Sequence, residues 1–512
     1  MTTSPATEAY LGPGAPTAPI QIAGNAADSK PHFTTACVDV PESVLTQLRD
    51  LGVDVQIDAA TRAESSRDWW PLAMTWALDG EVPAIAAAVV RPTTPEQVAA
   101  VLKIANAAAI PVTAAAGRSG VCGSSVPLYG GIVLDLCELR GIRSVDDESL
   151  TVDVLAGTFG DHFEHELRST YGLTCGHWPQ SIALSTVGGW LACRGAGQLS
   201  TRYGKIEDMV IGLDVVLADG TMVHTEGNAR QATGPDLNQL FVGSEGTLGI
   251  ITGARLRLHP APTHERRLAY GFASFEDGLE ACRKILRRGG TPAVLRLYDA
   301  IEADRSYKTG ELAVLLVFDE GDRVLVDATM EIVESECEQG QRLDVALVEQ
   351  WMGHRNNVAQ LESLISGGLV VDTMEITGPW SQLPSIYRKA LDAIGAVPGT
   401  LAASAHQSHA YTDGACLYFT FAGKPGSDSA AKEAYYRAAW DAGTHAVLSS
   451  GGALSHHHGV GINRARFMAD ALGAGLDVLG AVKAAVDPQG ILNPGKLGLS
   501  SHFGANPFAE PN

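Results

Sequence analysis

Basic residues are scarce in this 512-residue chain, where 37 Lys and Arg face 58 Asp and Glu for a formal net charge of −21. That balance argues against nucleic-acid binding, which needs basic surface to neutralise phosphates. No run of about twenty apolar residues occurs, so no membrane-spanning helix is expected. The eight cysteines, Cys37, Cys122, Cys137, Cys175, Cys193, Cys282, Cys337 and Cys416, are scattered without paired spacing. This disfavours a zinc module or a disulfide framework, and a reducing cytoplasm is the simplest compartment. Residues 1–27 lack a basic stretch followed by an apolar core, so residues 1–30 read as a disordered tail rather than a signal peptide. The chain closes Phe508-Ala509-Glu510-Pro511-Asn512 with no Ser-Lys-Leu-like address. A Gly-x-Gly-x-x-Gly following a first strand is also missing, which disfavours a nicotinamide-binding Rossmann fold.

What is present suits a large globular enzyme, because 45% of residues are apolar and only 19% charged, enough to bury a substantial core. Residues 84–91 read as a strand that runs into Pro92-Thr93-Thr94-Pro95, a turn and helix-cap signal. The apolar spacing Val98, Val101, Leu102, Ile104, Ala105 then predicts a helix, and residues 110–115 a second strand, which makes a βαβ unit. The glycine-rich segment Gly117-Arg118-Ser119-Gly120-Val121-Cys122-Gly123 follows directly, and backbone amides in such a loop can ring a diphosphate. Further strands are expected at 132–136, 151–155 and 211–217, with a helix at 160–169. After His259-Pro260-Ala261-Pro262, a helix at 275–287 and a strand at 313–318 announce a second α+β domain. Residues 481–497 read as helix, turn and anchor, and the last residues, 501–512, as a second tail.

Three consecutive imidazoles, His456-His457-His458, stand between Gly451-Gly452 and Gly459. Adjacent residues cannot share one face of a helix or strand, so a loop is expected to point the rings differently and leave at least one free for chemistry near neutral pH. The same pattern is compatible with a solvated histidine-rich loop. Tyr418 lies in the alternating strand pattern Leu417-Tyr418-Phe419-Thr420-Phe421, where a tyrosine is often only half-buried packing. Arg296 has Asp299 nearby as an ordinary ion-pair partner. Trp69-Trp70-Pro71 reads as core, and His409 and Tyr411 as residues that line a pocket or shape a turn. Ser119, Ser181, Ser185 and Thr186, interleaved with Gly117, Gly188 and Gly189, supply the backbone donors, small residues and hydroxyls that a bulky dinucleotide such as FAD requires.

Five segments carry a family resemblance: Ser185-Thr186-Val187-Gly188-Gly189-Trp190, Tyr203-Gly204-Lys205-Ile206-Glu207-Asp208, Gly243-Ser244-Glu245-Gly246-Thr247-Leu248-Gly249, Asp413-Gly414-Ala415-Cys416-Leu417-Tyr418-Phe419, and the His triplet with Gly459-Val460-Gly461. Through them the chain resembles the PCMH-type flavoproteins of the vanillyl-alcohol-oxidase superfamily, in the branch of alkyldihydroxyacetonephosphate synthase. The resemblance implies an α+β fold: a two-part FAD-binding domain at 84–262 after an N-terminal segment at 31–83, then an α+β cap and C-terminal helical segment at 263–500.

It also implies non-covalent FAD, with the diphosphate on Thr113, Ala114, Ala115, Ala116, Gly117, Arg118 and Ser119. The flavin and ribityl chain would lie against Gln180, Ser181, Ile182, Ala183, Leu184, Ser185 and Thr186, against Cys193, Arg194, Gly195 and Ala196, and against Glu245, Gly246, Thr247, Leu248, Gly249, Ile250 and Ile251. Tyr418, His457 and His458 would face the flavin with His456 nearby, Arg296 would receive an anionic substrate, and no metal is implied.

The implied reaction exchanges the acyl group of an acyl-dihydroxyacetone phosphate for a fatty alcohol in ether-lipid synthesis. The main rival is oxidation of a 2-hydroxy acid or alcohol, and a third reading is a non-catalytic flavin- or metal-binding protein. A lipid substrate implies an apolar tunnel or peripheral membrane contact, and a homodimer is the common default. The chain departs from the synthases in two places. It has Ala115-Ala116-Gly117-Arg118-Ser119 for their Gly-Gly-Gly-Thr-Ser, and Leu361 where the cap has an arginine, with Arg355 six residues upstream.

Overall fold

In the computed structural model, residues 11–225 and 227–509 are described. The first half of the chain builds two main sheets, beside two short two-stranded pairs. One has four strands in the order Asp54–Gln56, Ala88–Arg91, Ile132–Asp135, Val112–Ala115, the last three parallel to one another. Pro95–Ala107 is the crossover helix, capped by the Thr94 hydroxyl, which accepts from the Gln97 amide. Val98, Val101, Leu102 and Ala105 form its buried stripe, the spacing that predicted it. The second sheet is antiparallel, in the order Met222–His224, Val210–Val216, Ile250–Arg257, Thr151–Leu155, Ile142–Asp146. Thr151–Leu155 alternates between buried and half-exposed residues as its sequence alternates.

The second half builds one seven-stranded antiparallel sheet: Gln341–Arg342, His264–Phe272, Ala313–Gly321, Val294–Tyr298, Thr400–Ala410, Gly414–Gly423, Val370–Pro379. Helices Phe275–Arg287, Arg323–Glu336, Leu383–Gly395 and Ser429–Ser449 contribute buried apolar faces to its core. The expected helix at 160–169 ends earlier, at Glu166, and continues as a π-turn, Leu167–Tyr171, stopped by the left-handed Gly172. No described helix is long and apolar enough to cross a membrane.

Three boundaries differ from the sequence reading. Residues 11–30, expected as tail, are packed: Ile20 and Ile22 are buried, Gly12 N–H donates to Asp161, and the Trp69 indole donates to the Thr17 carbonyl. Composition hid this because only Pro19, Ile20 and Ile22 of this stretch are buried; residues 1–10 lie outside the described part. The closing tail is packed too: Phe503 stacks on Tyr129, the Asn506 side-chain amide donates to the Gly495 carbonyl, and Phe508 is fully buried with the Arg437 guanidinium 3.5 Å over its ring; residues 510–512 lie outside the described part.

The anchor at 487–497 returns to the first half. Val112 N–H donates to Ile491 and Asn493 N–H to the Val112 carbonyl, and Lys496 Nζ reaches the Val126 carbonyl at 2.7 Å. The chain's end therefore holds the strand that feeds the glycine-rich loop.

Candidate active site

A cavity of about 1110 Å³ opens between the two halves, larger than the roughly 300–1,000 Å³ usual for one small ligand. Its first wall is built from loops at the ends of the two N-terminal sheets. Ala114, Ala115, Ala116, Gly117, Arg118 and Ser119 line it, with Gln180, Ser181, Leu184, Ser185, Thr186, Cys193, Gly195, Ala196, Glu245, Gly246, Gly249, Ile250 and Ile251. Six residues expected there do not. Thr113 and Leu248 are buried, Ile182 joins the core, and Ala183 meets Gly12. The Thr247 hydroxyl donates to the Ser244 carbonyl, and Arg194 turns outward to Glu207. A contiguous segment against a ligand presents only some of its side chains to it. Trp69, Trp70 and Pro71 are all buried, as expected of core, and Trp69 and Pro71 also line the cavity.

The loop has the form a diphosphate requires. Among the described residues, none of the backbone N–H groups of residues 116–121 donates to another protein group. A β-carbon on Gly117 would lie 2.1 Å from the Leu184 carbonyl oxygen, so only glycine lets the two loops meet. Among the residues of this loop that carry a side chain, Arg118 alone has a left-handed angle, at φ 52°, and neither alanine that replaces a family glycine does. Arg118 is steadied by Asp135 at 3.4 Å. The hydroxyls of Ser185 and Thr186 are already engaged: Ser185 donates to Ser181 and accepts from the Trp190 indole at 2.7 Å, and Thr186 caps the helix Val187–Cys193.

The second wall comes from the seven-stranded sheet and the His loop. Arg296, Tyr298, Glu302, His406, His409, Tyr418, His457 and His458 line it, and His456 sits behind them. His406 and His409 lie three residues apart on one strand, where strict alternation sends them to opposite faces. A bulge between Gln407 and His409 turns both into the cavity. Sequence periodicity could not show this.

Arg296 is held from two sides. Nε donates to the Tyr298 hydroxyl at 2.7 Å and a terminal nitrogen donates to His406 Nε2 at 2.6 Å, while His406 Nδ1 faces Glu302 at 3.0 Å. The bland expectation of an Arg296–Asp299 ion pair is not met: Asp299 instead caps Ala300–Tyr307 and accepts from the Ala405 amide. Tyr418 accepts from Thr373 at 3.1 Å, stacks on His406 at 4.9 Å and faces His458 Nε2 at 3.4 Å. Arg355 lines the cavity too, 5.2 Å from Trp178, with burial pushing it down to about 10, and so does Leu361.

Glu375, which sequence reasoning missed, organises the His loop. Fully buried, it accepts from the Ser455 hydroxyl and from the amides of His456 and His458 at 2.9, 2.5 and 2.8 Å, and pairs with the fully buried Arg464 at 2.8 Å. Burial opposes its charge, but Arg464, His458 and the two amides outweigh that and hold its pKa below the ordinary value. Among the imidazoles burial wins. It pushes His458 down to about 4 against the pull of Glu375, and lowers His409, His456 and His457 well below the usual range. Burial raises the Tyr418 phenol. At neutral pH the wall therefore presents neutral imidazoles and a protonated phenol.

Donor nitrogens of His409, His456 and His457 lie within 4.8 Å of one another, a convergence that the strand residue His409 completes. His456 already uses both nitrogens, on Tyr411 at 3.0 Å and His457 at 2.9 Å.

Comparison with known proteins agrees with this geometry. Residues 86–226 match the family described as FAD binding domain, and residues 261–497 match FAD linked oxidases, C-terminal domain. The chain is 32% identical over 438 residues to the uncharacterised FAD-linked oxidoreductase YgcU of Escherichia coli K12, covering 81% of this chain and 89% of that protein. It is 28% identical over 461 residues to alkyldihydroxyacetonephosphate synthase of Caenorhabditis elegans, with 82% and 77% covered. Against glycolate oxidase subunit GlcD of Bacillus subtilis it is 29% identical over 431 residues, with 80% and 88% covered. In fold it superposes on an alkyldihydroxyacetonephosphate synthase with TM-score 0.75 at 23% identity, over 94% of this chain and 89% of that one. With p-cresol methylhydroxylase the TM-score is 0.71 at 18% identity, over 91% and 99%. The open amides of the glycine-rich loop, the two-walled cavity and these matches together place the chain in the FAD-linked oxidase family, as an FAD-dependent enzyme of PCMH-type fold.

Proposed function

We propose that this enzyme acts as an alkyldihydroxyacetonephosphate synthase, replacing the acyl group of an acyl-dihydroxyacetone phosphate by a long-chain alcohol. The observation that carries the reading is the pairing, on one wall, of a fixed guanidinium with neutral acid–base groups: Arg296 locked by Tyr298 and His406, beside Tyr418, His457 and His458. When bound, FAD supplies an electron-accepting ring that can take up electron density from the substrate carbon. The protein does the rest.

Arg296 binds the anionic end of the substrate, with Arg355 as a second guanidinium in the same cavity, which offsets the leucine at position 361. His457 takes a proton from the carbon that carries the acyl oxygen, using the free lone pair of a neutral imidazole, and a proton is returned to that carbon once the ether bond has formed. Tyr418, kept protonated by burial, donates to the departing carboxylate oxygen and recovers a proton from the incoming alcohol. His458, at 3.4 Å, orients that hydroxyl. The products are the alkyl ether and a fatty acid, with no net oxidation.

A second reading, oxidation of a 2-hydroxy acid or alcohol, is favoured by the 32% identity to an FAD-linked oxidoreductase. It uses the same base and the same anion site. Anaerobic addition of palmitoyl-dihydroxyacetone phosphate, with and without hexadecanol, separates the two. An alkyl ether formed without lasting flavin bleaching supports the synthase. Lasting bleaching by a hydroxy acid or alcohol, with no ether formed, replaces it with the dehydrogenase.

A further inference from the structure

Behind the catalytic wall runs a continuous chain of hydrogen bonds with both ends at the cavity. His457 Nδ1 meets His456 Nδ1 at 2.9 Å, His456 Nε2 meets the Tyr411 hydroxyl at 3.0 Å, Tyr411 meets Ser200 Oγ at 3.1 Å, and Ser200 meets His409 Nδ1 at 2.8 Å. Its two end rings, His457 and His409, both line the cavity, whereas the middle groups do not. Among the described residues no protein hydrogen bond is made at Nε2 of either end ring.

Such a chain has two consistent orientations when every imidazole is neutral, because each ring carries one N–H and each hydroxyl donates once. In one, His457 Nε2 is a bare lone pair and His409 Nε2 carries a proton. In the other every bond is reversed, so that His457 Nε2 carries the proton and His409 Nε2 is bare. We infer that Ser200, Tyr411 and His456 form a proton relay that couples His457 to His409, so that a proton taken up at one imidazole is released at the other.

The steps balance without a charged intermediate persisting. His457 Nε2 takes the substrate proton and its Nδ1 proton passes to His456. The Nε2 proton of His456 passes to Tyr411, that of Tyr411 to Ser200, and that of Ser200 to His409 Nδ1. His409 Nε2 then releases its own proton to an oxygen in the cavity. The relay answers a difficulty of the site, since burial and the neighbouring Lys205 oppose an imidazolium anywhere along it. Ser200 and Tyr411 act through the end rings and are positioning residues.

The inference rests on the proposed proton abstraction by His457, and two measurements separate them. The first is the 15N spectrum of the FAD-loaded protein with labelled histidines. Ser200→Ala touches only His409 and Tyr411, yet the tautomer signals of His457, at the far end, should shift, and Ser200→Thr should restore them. Tyr411→Phe cuts the chain at another link and should act alike. Unchanged His457 signals in both variants overturn the relay, as does a stoichiometric divalent ion bound through His409 and His456 in the purified protein. The second is exchange of the C1 hydrogen of palmitoyl-dihydroxyacetone phosphate with deuterated water. It should slow at least tenfold in Ser200→Ala and recover in Ser200→Thr, with substrate affinity unchanged; equal exchange rates in Ser200→Ala and the wild type overturn the relay. If the wild type exchanges nothing, the functional reading fails and the tautomer measurement alone decides the relay.

Discussion

Gly459 passes so close to Glu245 that a β-carbon on it would lie 2.2 Å from the carboxylate Oε1. That carboxylate accepts the next two amides, Val460 at 2.6 Å and Gly461 at 2.8 Å, and so ties the His loop to the first wall of the cavity. Gly459 also has φ +79°, in the left-handed region. Gly459→Ala meets both the clash and a backbone strain of about 1–2 kcal/mol. We expect a lower melting temperature and at least a tenfold loss of activity, with FAD content in the purified protein measured alongside.

Removing one member of the Glu375–Arg464 pair leaves the other charged and fully buried. Glu375→Gln should therefore destabilise the protein by roughly 3–5 kcal/mol. It should also disorder the His loop, whose amides Glu375 receives. Chemical denaturation of the FAD-bound protein reads the first effect, and the 15N histidine spectrum the second.

Tyr418→Phe removes one hydroxyl and keeps the ring stacked on His406 at 4.9 Å. Flavin content and substrate affinity should hold while kcat falls about 10²–10⁴-fold, the usual weight of a general acid. His406→Phe should do the reverse. By freeing Arg296 it should raise KM for an anionic substrate about tenfold with little change in kcat. Steady-state kinetics on the two variants tests the division of labour.

Acid should unfold this protein early. Burial lowers His458 to about 4 and His177 to about 3, against 6.5 when unfolded. At these two imidazoles the unfolded chain therefore binds more protons than the native one below pH 6.5, while buried acids such as Asp68, raised to about 7, act in the opposite sense. This stabilisation is fully present above about pH 6.5 and is lost as pH falls through about 4. Melting temperatures measured from pH 8 to pH 4 should drop steeply in the lower half of that range; a flat profile would show that these imidazoles are hydrated in solution.

The helices Pro95–Ala107 and Phe275–Arg287 and the strand Thr151–Leu155 could be read directly, because each is governed by local spacing and capping. The His triplet was legible as a loop for the same reason: glycines bound it on both sides. Glu375 and Ser200 were not legible as part of the site. One is an acid in a strand and the other a serine in a short helical turn, and neither has a neighbour in sequence that marks it.

The amino-acid sequence by itself marked most of the first cavity wall, since its glycines and small residues follow one another in the chain. The spacing of apolar residues marked individual helices and strands, while the fold class came from the motifs that carry the family resemblance. Only the tertiary structure decided the opposite wall. A bulge after Gln407 brings His406 and His409 to one side, a buried carboxylate 80 residues from Ser455 gathers the His loop, and Ser200 arrives from 209 residues away to meet His409. Such groups come together only when apolar burial closes the two halves, because no local propensity encodes contacts across that distance.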